Sequence, residues 1–341
     1  MEYTKLGRTG LFVSKICLGT ANFGRGESSG FGDWGVVPEK EAYKIMDFAL
    51  ENGINFFDTA NVYGGLGHRG LSEEILGRWF QTGGNRRERV VLGTKVGRIF
   101  EQSILDGPNN VEGFSLYKIR RHIEASLKRL QTDKVELLQM HILDKTVDWD
   151  EIWEAFEGVV RSGKADYIGS SNHPSWEIVR AQYEAKRRGF MGFVNEQHLY
   201  NPLVRQPEYE LLPMAREMGV GITLFSPLFR GLLGIDTENL NKRPMTAEAA
   251  AQFEARKPQL EAYSKLCREI GEEEANVTLA WELAHPEITS VIVAPCTIDD
   301  LKSMLRAVEI RLDDEIMARI HEIFPMGADA SPYGGGRRVK K

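Results

Sequence analysis

The chain has 341 residues, of which 42% are hydrophobic and 27% charged, a make-up that fits a soluble globular protein with an ample core. Its length admits two domains or one large α/β barrel. A formal net charge of -6 and a pI near 5.8 give no electrostatic footprint for nucleic acid, and no apolar stretch approaches the ~18 residues of a membrane helix.

The opening "MEYTKLGRTGLFVSK" carries Gly7 and Gly10 at turn positions and predicts a small hairpin under a barrel floor. The segment "KICLGT" (15–20) is the first of eight strand candidates. A helix with Pro38 as its opening residue and Gly53 as its stop is predicted over 38–53, with Ala42, Ile45, Met46, Ala49 and Leu50 on one face. The strand "NFFDTA" (55–60) precedes a helix at 71–80, for which Ser72 offers an N-cap. Next come the strand "VVLGTKV" (90–96), a helix at 115–131, the strand "VELLQMH" (135–141) and a helix at 148–164, acidic at its start and basic at its end as the helix dipole favours. Strands at 167–172, 193–197, 222–227 and 290–295 alternate with helices at 174–188, 207–218, 258–270, 275–285 and 299–308.

The strand candidates are rich in Val, Ile, Leu and Phe with little alternation, the pattern of strands buried on both faces. Eight of them with intervening helices predict a (β/α)8 TIM barrel, an α/β fold of typically ~250 residues. The surplus falls in segments that follow the first, third and seventh strands, so large loops are expected at the C-terminal face, where a barrel keeps its active site. Residues 1–325 read as a single barrel domain and 326–341, ending in "GGGRRVKK", as a partly flexible tail. No G-x-G-x-x-G follows an early strand, which disfavours a Rossmann sheet. Cys17, Cys267 and Cys296 are far apart and form no CxxC, which argues for a reducing compartment and against a zinc site. The N-terminus lacks the apolar core of a signal peptide, so the cytoplasm is the expected location.

Four side chains sit at or just past strand ends: Asp58 and Tyr63 in "FFDTANVYG", Lys95 in "VVLGTKVG" and His141 in "LLQMHILD". Together they can protonate a carbonyl oxygen while a hydride attacks its carbon. A free tyrosine has a pKa of about 10, too high for efficient donation near neutrality, and a neighbouring cation lowers it. Lys95 can supply that charge, Asp58 can hold the ammonium, and His141 can hydrogen-bond the carbonyl oxygen. Singly, each has a plain structural reading, as packing residue, solvent-reaching lysine or turn cap. Jointly, such readings leave their common position at one barrel end unexplained.

The stretches "LGRTGLFVSKICLGTANFG", "GINFFDTANVYG", "SEEILGRWF", "VVLGTKVG", "SLKRLQTDKVELLQMH", "GKADYIGSSNH" and "FSPL", in this order and spacing, resemble the aldo-keto reductase family over nearly the whole chain. The similarity is strongest to a bacterial branch that includes NDP-deoxysugar reductases and reductases of simple aldehydes and ketones. The resemblance implies Tyr63 as general acid, Asp58 and Lys95 as its tuning pair and His141 as the group orienting the carbonyl. It implies NADP(H) or NAD(H) bound extended at the barrel mouth, with Gly19 and Thr20 beside the reacting centre. Ser171, Asn172 and Gln197 would contact the carboxamide and Phe225 would stack on the nicotinamide. Ser226, Pro227, Leu228, Arg230 and Gly231 match the segment that grips the pyrophosphate. NADP(H) is the family's usual cofactor.

The chain departs from the family at the adenosine end, where "VIVAPCTIDDLKSML" has Ala294 in place of a glycine. Cys296 stands where a cation or serine is common, Asp300 at a Gln or Arg position and Met304 at an Asn position. A 2′-phosphate carries about two negative charges and is poorly hosted by Asp299 and Asp300. Lys302 and Arg306 are nearby cations that could compensate, and either unusual tolerance of NADH or weak cofactor binding is expected. Trp34 and Phe100, in loops after the first and third strands, are expected to line a pocket for a small-molecule aldehyde, ketone or keto-sugar. Neither a nucleic acid nor a membrane is an expected partner, and no metal is expected. The alternatives are an oxidative NAD(P)-dependent dehydrogenase of a sugar or alcohol, or a cofactor-binding regulatory subunit with little turnover.

Overall fold

The computed structural model describes residues 1–24, 36–64, 68–98, 113–238 and 247–326. Trp34, Phe100 and the tail beyond 326 lie outside the described residues. Eight parallel strands close into a barrel in the order β10-β3-β4-β5-β6-β7-β8-β9. They are β3 (Ile16–Gly19), β4 (Phe56–Asp58), β5 (Val91–Val96), β6 (Val135–Met140), β7 (Ala165–Ser171), β8 (Phe193–Leu199), β9 (Gly221–Phe225) and β10 (Ile288–Val293). All residues of β3, β4, β5 and β10 are buried, because helices cover one face and the barrel interior the other.

Two further strands, β1 (Tyr3–Lys5) and β2 (Phe12–Ser14), pair antiparallel below the barrel. Gly7, between them, has a φ of +55° and lies against the starts of β8 and β9. A Cβ there would meet the Val194 carbonyl oxygen at 2.2 Å, so only glycine fits this plug. Above it Leu6, Val13, Cys17, Phe56, Val91, Leu137, Val194 and Ile292 form an apolar floor inside the barrel, separate from the larger core between strands and helices.

The outer layer contains α1 (Glu39–Glu51), α2 (Leu71–Gln81), α3 (Leu116–Leu130), α4 (Trp149–Arg161), α5 (Ser175–Arg187), α6 (Leu211–Met218), α7 (Ala247–Ile270), α8 (Glu274–Leu283), α9 (Ile298–Met304) and α10 (Asp314–Ile323). The predicted face of α1 is the buried one. Three features differ from the sequence expectation. Ser72 lies inside α2, whose N-cap is Gly70 at φ 91°. The Ser72 hydroxyl instead donates to the Thr20 carbonyl at 2.8 Å, pinning the end of β3. The helix expected from 258 begins at Ala247 and runs through Pro258. Finally, α10 is an added helix, capped by Asp313 accepting from the Ile316 N–H. Among the described residues, no helix is long and apolar enough to cross a membrane.

Candidate active site

The loop that carries Tyr63 is tied to its neighbours through the backbone. Thr59 N–H donates to Gly93 O at 2.9 Å and Asn61 N–H to Lys95 O at 3.1 Å, extending the β4–β5 ladder. The Tyr63 carbonyl accepts from Gly70 N–H at 2.9 Å, which folds the loop back onto the start of α2. His141 follows β6 and its N–H donates to Val96 O at 2.9 Å. Asp58, Tyr63, Lys95 and His141 are thereby brought to the C-terminal end of the barrel.

Lys95 Nζ donates to Asp58 Oδ2 at 2.5 Å, to Thr59 O at 2.9 Å and to Tyr63 Oη at 3.1 Å. Lys95 is 0% and Asp58 3% exposed. The Tyr63 and His141 rings meet edge to face, 5.9 Å between centroids and 86° between planes. Burial works against the Lys95 ammonium, but Asp58 and Tyr63 beside it leave its pKa raised, so it stays charged. Burial, with Lys95 and Arg98 adding to it, holds the His141 imidazole well below its ordinary range. His141 is therefore neutral near pH 7, and its buried Nδ1 has no partner among the described protein atoms.

Tyr63 departs from expectation. Burial pushes its phenol up, and the pull of Lys95 and Arg98 does not reverse this. The sequence shows the neighbouring cation but not the desolvation that outweighs it. Tyr63 thus keeps its proton firmly until a stronger base forms beside it.

Asp58 Oδ1 accepts from Gln197 Nε2 at 2.8 Å and from Gln139 Nε2 at 3.2 Å. The Gln197 amide nitrogen therefore faces Asp58, and its oxygen is the part a ligand could engage. Sequence reasoning did not single out Gln139, although it precedes His141 by two positions and so shares its strand face.

The other expected cofactor residues divide into two groups. Ser171 ends β7, and Asn172 adopts a φ of +63° with its amide nitrogen on Ser171 Oγ at 2.8 Å and on His141 O at 3.4 Å. Phe225 ends β9 and is partly exposed. After it the chain turns sharply, with left-handed φ values of 49° at Ser226, 58° at Arg230 and 92° at Gly231. Pro227 is buried, Leu228 half-buried and Arg230 exposed. Strain of this kind is maintained only where the surroundings fix it. Among the described residues, its chain neighbours apart, no atom lies within 4 Å of where a Gly231 Cβ would stand, so a ligand can approach its backbone closely.

Gly19 and Thr20 have structural duties. A Cβ on Gly19 would come 2.7 Å from Ile292 Cγ2, so glycine there admits β10. The buried Thr20 hydroxyl lies 2.7 Å from Ser72 Oγ and donates to Asp58 O at 3.1 Å. At the far end, Ala294 and Cys296 are exposed. Asp300 Oδ2 accepts from the N–H groups of Cys296 at 3.1 Å and Thr297 at 3.0 Å, and Thr297 Oγ1 accepts from Asp300 N–H, forming a capping box at α9. Arg306 pairs with Glu272 and Glu309 at 2.7 Å each. Buried Asn22, missed in the sequence, donates to Pro295 O at 3.1 Å and ties the loop after β3 to this turn.

A nicotinamide dinucleotide fits these residues. The partly exposed Phe225 ring ends β9, the open face of Gly231 lies in the turn that follows it, and the amides of Asn172 and Gln197 come from the ends of the neighbouring β7 and β8. Among the described residues no group of three His, Cys, Asp or Glu side chains could hold a metal ion.

Comparison with known proteins gives the family. The model of the aldo/keto reductase family matches residues 15–324. An uncharacterised oxidoreductase of Bacillus subtilis is 54% identical over 97% of this chain and 98% of its own. Versiconal hemiacetal acetate reductase of Aspergillus parasiticus is 33% identical over 94% of this chain and 96% of its own. A putative aryl-alcohol dehydrogenase of Schizosaccharomyces pombe is 33% identical over 94% and 95%, respectively. The chain belongs to the aldo/keto reductase family and is an NAD(P)H-dependent oxidoreductase.

Proposed function

We propose that this single-barrel enzyme reduces the carbonyl of a small aldehyde or ketone to an alcohol, with Tyr63 Oη as the proton donor. The observation that carries the reading is the Asp58–Lys95–Tyr63 chain of contacts, 2.5 and 3.1 Å long, beside a neutral His141. The reduced nicotinamide, when bound, supplies the hydride that reaches the carbonyl carbon. Phe225, Asn172, Ser171 and Gln197 would hold its ring and carboxamide, and the 226–231 turn with Arg230 its pyrophosphate. Neutral His141 can donate a hydrogen bond to the carbonyl oxygen and aim it at Tyr63. Tyr63 then gives its proton to that oxygen as charge develops there. The Lys95 ammonium, 3.1 Å away, stabilises the phenolate left behind. Burial keeps Tyr63 protonated in the resting site, so the proton leaves only for the more basic alkoxide. The same groups can run an alcohol oxidation in reverse.

The aryl-alcohol dehydrogenase name of one relative makes aryl aldehydes the first substrates to try, with keto-sugars second. Asp300 occupies two N–H groups at α9 and Arg306 is held by glutamates, which supports use of NADH as well as NADPH. Three free cysteines suit the reducing cytoplasm in which we place the enzyme. The test is oxidation of NADPH and NADH, followed by absorbance, with a panel of aryl and aliphatic aldehydes, ketones and keto-sugars. Turnover on a carbonyl supports the reading. Tight cofactor binding without turnover on any carbonyl overturns it in favour of a cofactor-binding subunit.

A further inference from the structure

A row of buried amides and hydroxyls crosses the barrel interior directly above its apolar floor. Phe56 and Leu137 belong to that floor, and two residues later on the same strands stand Asp58 and Gln139. Gln139 Nε2 donates to Asp58 Oδ1 at 3.2 Å, while Gln139 Oε1 accepts from Asn195 Nδ2 at 3.3 Å. Asn195 Nδ2 also donates to Thr223 Oγ1 at 3.0 Å. Gln139, Asn195 and Thr223 are all 0% exposed.

This row is incompletely satisfied, which costs stability. Asn195 Oδ1 is buried without a hydrogen-bond partner among the described residues, a desolvation cost that an apolar layer avoids. The chain also makes room for the Gln139 side chain on one neighbouring strand. On β7 the residue paired with Gln139 is Gly169, where a Cβ would crowd Gln139 Cγ at 3.1 Å. On β5 the residue paired with Gln139 is Lys95, so the row stands level with the ammonium it serves. A glutamine seated against Gly169, with its oxygen committed to Asn195, presents its nitrogen to Asp58.

We propose that Gln139, backed by Asn195 and Thr223, is a positioning residue for carbonyl reduction, holding the Asp58 carboxylate in the orientation that delivers Lys95 to Tyr63. The inference rests on Tyr63 being the proton donor. Asp58 Oδ2 is taken by Lys95 and Oδ1 by Gln197 and Gln139, so the carboxylate is held at both oxygens. The titratable groups facing it are Lys95 from β5, Tyr63 from the loop after β4 and the Cys17 thiol from β3, which burial and Asp58 push well up. His141 and Arg98 act on the Tyr63 side. From β6, β8 and β9 the uncharged Gln139, Gln197, Asn195 and Thr223 approach. Removing the Gln139 N–H leaves the Asp58 charge less compensated, which makes the Tyr63 proton harder to release.

The experiment compares wild type, Gln139→Leu and Thr223→Val as full-length enzymes, with NAD(P)H and the best carbonyl of the panel. For Gln139→Leu, kcat is expected to fall about tenfold, with KM for cofactor and carbonyl within about twofold. The pH profile of kcat is expected to move up by about half a unit or more. Thr223→Val, which frees the far end of the row with little change of shape, is expected to move both in the same direction by less, and it stands in if Gln139→Leu does not fold. A fall in kcat matching only the loss of folded protein, an undisplaced pH profile, or a raised cofactor KM at unchanged kcat overturns the proposal. Tyr63→Phe is run alongside. If that variant keeps turnover, the proton-donor reading fails; if it loses turnover while the Gln139 and Thr223 variants behave as wild type, only the positioning role fails.

Discussion

Lys95 Nζ lies 2.5 Å from Asp58 Oδ2, with both side chains sealed from solvent. Removing one partner of a buried ion pair leaves an uncompensated charge and costs about 3–5 kcal/mol, whereas removing both can be nearly neutral. Lys95→Met and Asp58→Asn are therefore each expected to lower stability by about that amount in denaturant titrations. The double variant should recover most of the loss. None of the three should regain carbonyl reduction, which separates the pair's part in the fold from its part in proton delivery.

His141 gives a pH signature through its depressed pKa. Below the unfolded value of about 6.5, the unfolded chain binds a proton that the folded chain refuses. The His141 contribution to stability is thus present above that value and is lost as pH falls through and below it. His141→Gln should flatten this part of the stability profile, read as thermal midpoints from pH 8 to pH 5. Turnover should show no step near pH 6.5 in wild type, because the imidazole is already neutral there.

Glu282, on α8, is 0% exposed, and neither carboxylate oxygen has a hydrogen-bond partner among the described residues. Burial pushes its pKa well up, so the folded chain holds a proton that the unfolded chain has released at neutral pH. The group's contribution to stability is full below the unfolded value and falls as pH rises toward the folded one. Glu282→Leu is expected to stabilise the protein by about 1–3 kcal/mol at pH 8. The gain should shrink toward pH 4.5, and thermal melts across that range check it.

The barrel itself was legible because strands buried on both faces leave continuous apolar runs, as in "VVLGTKV" and "SVIVAP". The four residues at the mouth were legible because each follows such a run. The polar layer was not. In "VELLQMH" and "FVNEQ" the amides of Gln139 and Asn195 look like breaks in an apolar strand, and only closure of the barrel brings them into one row. Ser72 looked like a cap because hydroxyl residues commonly precede helices, whereas a left-handed Gly70 starts α2 and frees Ser72 to bind Thr20. The early start of α7 was hidden by Pro258, which resembles a first helical residue. The firm hold of Tyr63 on its proton depends on burial, which no local sequence pattern records.

The adenosine end offers a cofactor test. Asp300 spends its carboxylate on the N–H groups of Cys296 and Thr297 and, in the cofactor arrangement proposed above, adds negative charge where a 2′-phosphate would seek positive. Asp300→Arg is expected to raise the NADPH:NADH ratio of kcat/KM by about tenfold or more. The capping bonds that Asp300 supplies would be lost, at a cost of about 1 kcal/mol. Steady-state kinetics with both cofactors, together with a thermal melt, separate the two effects.

Replacing the Tyr63 hydroxyl is the most direct measurement. Tyr63→Phe removes one oxygen from a ring that packs edge to face on His141 and leaves the Asp58–Lys95 pair in place. Reduced-cofactor binding, read by fluorescence, and carbonyl turnover, read by absorbance, are compared with wild type. Cofactor affinity within about threefold and turnover reduced by about a hundredfold or more is the predicted result. Turnover within a few-fold of wild type would contradict Tyr63 as the proton donor.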